Sequence, residues 1–594
     1  MTRARPLFAP IGVALAGLLA GLPCAASAAC QLTRIVEMPV TMAGLVPIVS
    51  GQVNGHDARL IADSGAFFSL LTTPAVKRFE SPLKSGPVNL VVEGANGLEN
   101  MQITRVKDFT LLGHTYHGVE FMVGGNAISG EADGVLGQNF LRAADAEFDL
   151  ANGAIRLFKA DGCDSLLPTY WSAAKPEAVQ MMRIADTDAA DSHIRGEAMI
   201  NGHKVQVMFD TGSPDSIVSL VTGEHLGLTS KTPGAEPAGL VGGIGRGRGA
   251  SWIVPVDSFE VGGEKVLRTK LRVADLPLAG VDMLIGADFF LSHRVYVAYR
   301  RRLMFFTYNG GPVFDLTRHR AAGAAEPATT GAASPGEAPK DASGFARRGA
   351  ARSARNQYDL ALADDDKAVE LEPSSADYLF QRAQVQVQRE KPELARADLD
   401  RVLKLKPDHL QALLLRGGLQ LELHDPVAAR ADLSAAWKAG SDDPDLGLRI
   451  AELYEEKDQF EDAVASFDRW LAEHGHGERE AVALNGRCWS RALWNRDLDK
   501  ALADCDRAAQ LDPYALDIRD SRGLVWLRMN QLPRAIGDYN AVLSREAKSA
   551  WSLYGRGVAE VRKGDVAKGQ ADIAAADKLE PEATGRARKL GITP

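Results

Sequence analysis

Two stretches of the sequence match each other and place an aspartate at equivalent positions. VNGHDARLIADSG (53–65) contains Asp63, and INGHKVQVMFDTG (200–212) contains Asp210. In both stretches an Asn-Gly-His triplet begins nine residues before the aspartate. A carboxylate can take or give a proton in general acid–base chemistry, but Asp is also common in the turns of hairpins. For either stretch alone, both interpretations stay open.

The residues around the two aspartates predict β-structure. Asn-Gly between alternating apolar runs is typical of a tight hairpin, so each aspartate should end a strand. The chain then continues as SGA before SLLT in the first copy and as TGS before SIVS in the second. A further pair, DGVLGQNFL (133–141) and DMLIGADFFL (282–291), places two apolar residues before Gly137 and Gly286. Such doubled motifs argue against isolated turn residues.

These paired motifs resemble the retropepsin-like aspartic protease family. The likeness covers about 46–158 and 194–306. In the first range the glycine of the apolar-apolar-Gly motif lies 74 residues after Asp63, and in the second it lies 76 residues after Asp210. It implies two tandem all-β lobes, predicted at 30–165 and 185–312, arranged as in a pepsin-like pseudo-dimer.

The resemblance implies that Asp63 and Asp210 form a catalytic pair. Each lobe of that family supplies one carboxylate, and two carboxylates at close range share a proton because both cannot ionise. The ionised one takes a proton from water as the water attacks a peptide carbonyl, and the protonated one hydrogen-bonds the carbonyl oxygen. The substrate is then a protein or peptide, and neither a metal nor another cofactor is expected.

Further residues acquire supporting roles from the same resemblance. The two hydroxyls after the aspartates would brace the two loops by hydrogen bonds, and the adjacent glycines would let the backbone turn tightly. The predicted supports are Ser64, Gly65, Gly137, Thr211, Gly212 and Gly286.

Family members cover the cleft with a mobile hairpin, and two Gly-containing stretches are candidates for it. They are EGANGLEN (93–100) and GLVGGIGRGRG (239–249). The second is not a phosphate-binding loop, because no register fits GxGxxG and no Lys-Ser or Lys-Thr follows. Neither carries a Tyr that can be assigned to the pepsin-like flap role. The candidate flap glycines are Gly94, Gly97, Gly242, Gly243 and Gly245.

Two arrangements of the lobes stay open. The lobes can face each other within one chain, or each can pair with the same lobe of a second chain, and the connection at 158–194 permits both. Because one copy carries Asp-Ser-Gly and the other Asp-Thr-Gly, as expected of halves that always face each other, we expect a monomeric active site. Fold alone does not establish activity, so an inactive peptide-binding or scaffold protein is the alternative.

Composition and charge indicate a globular, exported, multidomain protein. The chain has 594 residues with 45% hydrophobic and 24% charged residues, which suggests about three to five domains. A net charge of −9 with dispersed Lys and Arg argues against a nucleic-acid partner. Residues 1–29 have the order of a cleaved signal peptide: Arg3 and Arg5, an apolar run at 11–22, then small residues. We therefore expect a periplasmic or secreted protein without a membrane span.

Four cysteines are left after such a cleavage, and an oxidising compartment permits disulfides. Cys30 and Cys163 bracket the first lobe, while Cys488 and Cys505 lie 17 residues apart in a predicted helical hairpin. Two local disulfides and free buried thiols are both compatible with this count.

The rest of the chain is helical and repetitive. An Ala-, Pro- and Gly-rich linker is predicted at 313–344. After it, small residues recur with spacings of 34, 34, 34, 38, 34 and 34, and Pro ends several units. This period resembles the tetratricopeptide repeat (TPR) family and implies an all-α superhelix of about seven repeats at 345–594. The recurring small residues are Ala361, Ala395, Ala429, Ala463, Ala501, Ala535 and Gly569.

Arrays of this kind hold a protein or peptide partner on their concave face. We therefore expect the repeats to recruit a substrate or a partner for an exported aspartic endopeptidase. His474 and His476 fall in the four-residue insertion, where a solvated loop is favoured over a metal site because no third ligand lies at a useful spacing.

Overall fold

The structure is a computed structural model of the chain. It describes residues 31–84, 91–94, 97–124, 132–161, 163, 168–185, 193–242, 249–278, 280–314, 339–440, 443, 445–475, 477 and 479–594. The predicted signal peptide and Cys30 lie outside these residues, so both stay predictions. Within the described residues, every helix is too short or too polar to cross a lipid bilayer.

The first lobe is built from short strands with alternating burial. In the described residues its elements are β1 (Gln31–Pro39), β2 (Thr41–Ala43), β3 (Val46–Val53), β4 (His56–Ala62), β5 (Leu70–Leu71), α1 (Thr73–Arg78), β6 (Leu83–Lys84), β7 (Val91–Gly94), β8 (Gly97–Asn100), β9 (Gln102–Leu111), β10 (His114–Val123), β11 (Gly134–Leu136), α2 (Gln138–Leu141), β12 (Asp145–Asp149) and β13 (Ala154–Asp161).

The second lobe repeats this order of elements. In the described residues it contains β14 (Gln180–Arg183), β15 (Ile194–Ile200), β16 (His203–Phe209), β17 (Ile217–Ser219), α3 (Leu220–His225), β18 (Glu236–Val241), β19 (Gly249–Val261), β20 (Glu264–Ala274), β21 (Met283–Ile285), α4 (Ala287–Ser292), β22 (His293–Ala298) and β23 (Leu303–Tyr308). β14 precedes the predicted boundary at 185 but pairs with β23 of this lobe.

Each lobe is a closed barrel of six strands. The first runs β3-β4-β11-β5-β10-β9 and closes through β3–β9, and the second runs β15-β16-β21-β17-β20-β19 and closes through β15–β19. Alternation fills the barrels: along β16, Val205, Val207 and Phe209 are buried while the residues between them face outward. Closure leaves few free strand edges and fixes the register of the strands that end at the aspartates.

A third sheet joins the two lobes within one chain. Its strands run β1-β13-β12-β22-β23-β14, all antiparallel, with three contributed by each lobe. At its centre β12 pairs with β22 from Ala146↔Val297 to Phe148↔Val295. Backbone hydrogen bonds between β12 and β22 therefore join the two lobes of the chain.

The helical part of the described residues forms seven antiparallel hairpins and one further helix. The recurring Ala residues sit where the two helices of a hairpin cross, and all six are fully buried. The helices are α5 (Ala342–Ala354), α6 (Tyr358–Leu371), α7 (Ala376–Gln388), α8 (Pro392–Leu405), α9 (Leu410–Glu422), α10 (Pro426–Ala439), α11 (Leu446–Glu456), α12 (Phe460–His474), α13 (Glu480–Trp494), α14 (Leu498–Leu511), α15 (Leu516–Arg528), α16 (Leu532–Leu543), α17 (Ala550–Lys563), α18 (Val566–Leu579) and α19 (Pro581–Lys589).

The first hairpin is packed against the lobes. Ala350, Ala351 and Ala354 of α5 belong to the same buried apolar cluster as the lobe cores. Of the predicted linker, 315–338 lies outside the described residues, while Val313 and Phe314 are buried against the lobes and 342–344 form the first turn of α5. The array therefore begins on the protease-like body itself.

The cysteine and histidine predictions have separate outcomes. A disulfide joins Cys488 of α13 to Cys505 of α14, which confirms that pairing. The pairing of Cys30 with Cys163 stays a prediction because Cys30 lies outside the described residues. The ring of His474 stacks on Trp470 with centroids 5.1 Å apart, and His476 is not described. No cluster of three or more metal-ligating side chains occurs in the part of the chain that the structure describes.

Candidate active site

The repeated Asn-Gly turns deliver the two aspartates to the cleft. Asn54 and Gly55 have φ of 52° and 84°, and Asn201 and Gly202 have φ of 50° and 80°. Both pairs therefore adopt the left-handed conformations of a tight hairpin turn. Each Asn side-chain oxygen also accepts two backbone N–H groups from β9 or β19, at 2.8–3.1 Å.

The distal motifs form parallel neighbours of the strands that carry the aspartates. The backbone N–H of Asp63 donates to Leu136 O at 3.0 Å, and that of Asp210 donates to Ile285 O at 2.9 Å. The leading Asp of each distal motif accepts a backbone N–H from β4 or β16 at 2.8 Å. This explains why Asp opens both DGVLG and DMLIG.

Crossed hydrogen bonds lock the two aspartate loops together. Ser64 N donates to Thr211 Oγ1 at 2.9 Å, and Thr211 N donates to Ser64 Oγ at 3.0 Å. The hydroxyls in turn donate across the lobe boundary, to Phe209 O at 2.9 Å and Ala62 O at 2.7 Å. Every member of this buried network is satisfied, which makes the relative position of the loops rigid.

The glycines beside the aspartates leave room for the opposite carboxyl group. A Cβ on Gly65 would lie 2.3–2.6 Å from the carboxyl atoms of Asp210, and a Cβ on Gly212 would lie 2.3–2.7 Å from those of Asp63. Neither glycine has a positive φ. The physical reason for Gly is therefore close approach across the cleft and not the tight turn expected from the sequence.

The distal glycines also mark close approaches. A Cβ on Gly137 would lie 2.8 Å from Ala66 O, and one on Gly286 would lie 2.5 Å from Asp215 O. Each distal loop thus packs directly beneath an aspartate loop of its own lobe.

The two carboxyl groups are held alike and contact each other. One oxygen of Asp63 accepts the backbone N–H groups of Gly65 and Ala66 at 2.7 and 2.9 Å. One oxygen of Asp210 accepts those of Gly212 and Ser213 at 2.9 and 3.2 Å. Burial, followed by the charge and hydrogen bond of Asp210, raises the pKa of Asp63 well above its usual range. The pair can therefore share one proton between its facing oxygens.

Behind the aspartate pair, each lobe has a serine that is bonded to an amide or a carboxyl side chain. These residues were not predicted from the sequence. Ser69 Oγ accepts the N–H of the distal glycine at 3.0 Å and donates to Asn139 at 2.8 Å. In the second lobe, Ser216 Oγ accepts the N–H of the distal glycine at 2.9 Å and donates to Asp288 at 2.7 Å. The signal was available, because Asn and Asp stand two residues after the glycine in the matched distal motifs.

One supporting contact crosses between the lobes. Gln138 Nε2 donates to Ser64 O at 2.8 Å, and Tyr299 OH donates to Gln138 Oε1 at 3.2 Å. Gln138 and Tyr299 are both buried. No sequence pattern indicated this contact, because the second lobe has Ala287 where the first has Gln138.

A buried arginine links the second aspartate loop to the base of a candidate flap. Arg272 is 1% exposed and lies 3.2 Å from the carboxylate of Asp215. It also donates to Ala238 O of β18 at 3.1 Å and to Ser251 Oγ of β19 at 2.9 Å. The β18–β19 hairpin is the second of the two predicted flaps.

The two candidate flaps are only partly described. Gly94 and Gly97 face each other at the end of the β7–β8 hairpin. Gly242 follows β18 directly, whereas Gly243 and Gly245 lie outside the described residues. The placement of both hairpins over the cleft stays a prediction.

Comparison with known proteins separates the two halves of the chain. The aspartyl protease family model matches residues 49–140 and 196–289. Each matched range contains one aspartate of the pair and its distal glycine. No match was found among curated proteins.

Similar solved structures are TPR proteins that match the helical part. One from Parabacteroides merdae is 15% identical with a TM-score of 0.35, covering 42% of this chain and 98% of its own. One from Cytophaga hutchinsonii is 15% identical with a TM-score of 0.31, covering 41% and 98%. Yeast Tom70 is 17% identical with a TM-score of 0.30, covering 42% and 52%.

The predicted fold class is confirmed by the two closed barrels and the helical hairpins. Two tandem regions of the chain, each folded as a closed β-barrel lobe, match the aspartyl protease family model, and a TPR-like helical array follows them.

Proposed function

We propose that the chain is an aspartic endopeptidase whose single active site is formed by Asp63 and Asp210 of the same chain. The observation that carries this proposal is the reciprocal packing of each carboxyl group into the space beside the glycine of the opposite lobe. An aspartate pair with no function would not need two glycines kept free of side chains. The six-stranded sheet shared by both lobes supports a site formed within one chain.

In the proposed reaction, a water molecule lies between the two carboxyl groups. The ionised carboxylate of the pair takes a proton from the water as the water oxygen attacks the peptide carbonyl carbon. The protonated carboxyl group hydrogen-bonds the carbonyl oxygen and stabilises the negative charge that develops there. The tetrahedral intermediate then collapses as a proton moves to the leaving nitrogen and the C–N bond breaks. No covalent enzyme intermediate or metal is needed for these steps.

This assignment of roles has a pH consequence. The site works while the pair holds one proton, so activity falls in acid when both groups are protonated and falls at higher pH when the pair loses its shared proton. Because burial and Asp210 raise the pKa of Asp63, we expect the alkaline limb to lie well above the ordinary Asp range. The pH–rate profile of kcat/KM measures both limbs.

We further propose that residues 1–29 are removed on export and that the protein acts in the periplasm or outside the cell. The Cys488–Cys505 disulfide supports this, because such bonds persist in oxidising compartments. The repeat array would recruit a protein substrate or a partner for the protease. Detection of mature protein beginning near residue 30 in a periplasmic or culture fraction checks the export proposal.

The test of the main proposal is peptide-library cleavage by residues 30–594. Wild type, Asp63→Asn and Asp210→Asn are compared from acid to neutral pH, with circular dichroism and thermal melting as folding controls. We expect both variants to lose at least about 1,000-fold in kcat while remaining folded. If only one variant loses activity, the paired site within one chain is wrong. A folded wild type that cuts no peptide at any pH would favour the inactive peptide-binding or scaffold alternative.

A further inference from the structure

The segment 581–594, here called the tail segment, lies against helices far from it in the sequence. It follows the seventh hairpin and contains α19 and the residues after it, which begin with the turn that ends the helix. Arg586 of α19 donates to Asp458 Oδ1 at 3.0 Å and to Glu455 O at 2.7 Å, although 128–131 residues separate them. A helix that only capped the array would need to contact just the last hairpin.

The residues that follow α19 are bound through their backbone carbonyls. Arg528 donates to Leu590 O at 2.8 Å, and Tyr554 OH donates to Ile592 O at 2.8 Å. Arg562 donates to Thr593 O at 2.6 and 2.9 Å. Side chains on α15 and α17 thus bind three carbonyls of the segment.

The tail segment also buries side chains in the array. Ala587 is fully buried, and Thr584 and Ile592 are 1% and 2% exposed. Ala587 and Ile592 belong to the apolar cluster that includes Phe460 and Leu493 of the fourth and fifth hairpins. The segment is therefore packed into the array and does not lie loosely on its surface.

The surface it occupies is the one lined by the first helices of hairpins four to seven. Consecutive first helices α11, α13, α15 and α17 contact each other, as expected on the inner side of a superhelix. We call this surface the inner groove and define it by Glu455, Asp458, Arg528, Tyr554 and Arg562. Arrays of this kind bind partners there.

Charge complementarity describes what the inner groove accepts. The tail segment has three basic residues and one acidic residue, and its Arg586 meets the carboxylates of Glu455 and Asp458 at 3.3 and 2.9 Å. The groove thus presents acids to a helix, donors to the carbonyls of the turn that follows it, and an apolar site for Ile592.

We propose that the tail segment is an intramolecular ligand of the inner groove. A partner with the same chemistry, a basic amphipathic helix followed by a short turn with one apolar anchor, binds by displacing it. The array is then closed to partners of this kind until the tail segment is released.

The test measures binding of a fluorescent peptide, residues 580–594, to the full chain carrying Asp63→Asn, so that the probe is not cut. We expect weak binding to the chain with an intact tail segment, and binding at least tenfold tighter once Arg586→Glu is added. Lys589→Glu is the matched control, because it makes the same charge change at an exposed position of the same helix. Binding does not depend on proteolysis, so this test is independent of the proposed activity.

Hydrogen exchange of the tail segment reports whether it has been released. If its amides exchange faster in the Arg586→Glu chain but the probe binds no more tightly, the inner groove is not a peptide site and the proposal is wrong. If the amides stay protected even in Arg586→Glu/Ile592→Asp, the contacts described do not hold the segment, and the proposal is equally wrong. The charge exchange Arg586→Glu/Asp458→Arg should restore the amide protection of the tail segment, which distinguishes loss of this contact from misfolding.

Discussion

The two lobes are copies of one design, and they agree in some places and differ in others. Both have the Asn-Gly turn, the aspartate loop with its crossed hydroxyl bond, and a serine under the distal glycine. They differ behind the aspartate loop. By strand register, Met122 of the first lobe corresponds to Arg272 of the second, because each pairs with the strand seven residues after the aspartate. Phe68 corresponds to Asp215 because each lies five residues after the aspartate of its lobe.

This comparison shows which contacts constrain both copies. The crossed hydroxyls and the glycines serve the opposite lobe, so a change in one copy damages the other. Asp215 and Arg272 form an ion pair inside the second lobe, where the corresponding positions of the first lobe carry the apolar residues Phe68 and Met122. An internal duplication can therefore diverge wherever the contact stays within a copy.

The largest effect is expected at the reciprocal glycines. Gly65→Ala and Gly212→Ala each force a methyl group into the carboxyl of the opposite aspartate. Displacing a catalytic group by about 1 Å costs on the order of 100-fold in rate, and we expect at least that loss in kcat from either variant. Steady-state kinetics on a cleaved peptide, with thermal melting, measures the effect.

The two active-site glycine variants are controls for each other. If the two lobes form one site, the glycine variants should resemble each other in rate and in stability. Gly202→Ala tests a glycine of the second lobe that has open space around it but a φ of 80°. It should lower stability by about 1 kcal/mol and leave kcat nearly unchanged. A large loss of kcat from only one of the two active-site glycines would contradict the reciprocal arrangement.

The second effect concerns the ion pair that only the second lobe has. Arg272→Met leaves Asp215 without its buried guanidinium and removes donors to Ala238 and Ser251 at the flap base. We expect a loss of about 2–4 kcal/mol in the free energy of unfolding, because an uncompensated charge stays behind. Urea denaturation measures it.

The exchanged pair shows whether the lobes are interchangeable here. Asp215→Phe/Arg272→Met gives the second lobe the residues of the first, and it should recover most of the stability lost in Arg272→Met. Activity should recover less, since the donors to the flap base are still missing. If the double variant is as unstable as Arg272→Met, the apolar residues of the first lobe cannot replace the ion pair in the second lobe.

The divergent positions also show what sequence can predict. The repeated Asp-Ser/Thr-Gly and apolar-apolar-Gly motifs predicted two lobes, and the 34-residue period predicted the helical array, because both patterns are local and occur more than once. The Gln138–Tyr299 contact and the Arg272–Asp215 pair join residues distant in sequence and occur once, so no repeat signals them. The role of Gly65 was misjudged for the same reason: its neighbour is Asp210, 145 residues away.

A smaller effect is expected from the contact that crosses the lobes asymmetrically. Gln138→Ala places at that position the residue type of the second lobe, and it leaves Ser64 O and the buried hydroxyl of Tyr299 without this partner. The cost should be about 1–3 kcal/mol, with a modest fall in kcat. Tyr299→Phe keeps the ring and removes only the outer hydrogen bond, so it should have the smaller effect of the two. If Tyr299→Phe lowers kcat more than Gln138→Ala, Tyr299 does not act by supporting Gln138, and this prediction is wrong.

The smallest effect, and the one most specific to pH, is expected at Asp288. Burial, and then the charge of Asp215, raises the pKa of Asp288 from 3.8 to about 7. Between these values the folded chain holds a proton that the unfolded chain has lost, so stability falls as pH rises through this window and levels off above it. The first lobe avoids this dependence because Asn139 accepts the same bonds from Ser69 without titrating.

Asp288→Asn should therefore give the second lobe the pH behaviour of the first. The variant should be more stable than wild type by on the order of 1–2 kcal/mol above pH 7, with the difference shrinking toward pH 4. Thermal melting across this range measures the difference, and Asn139→Asp in the first lobe should produce the opposite change. If Asp288→Asn shifts stability equally at all pH values, the carboxyl group is not protonated in the folded lobe. The divergence between Asn139 and Asp288 would then be a matter of packing and not of charge.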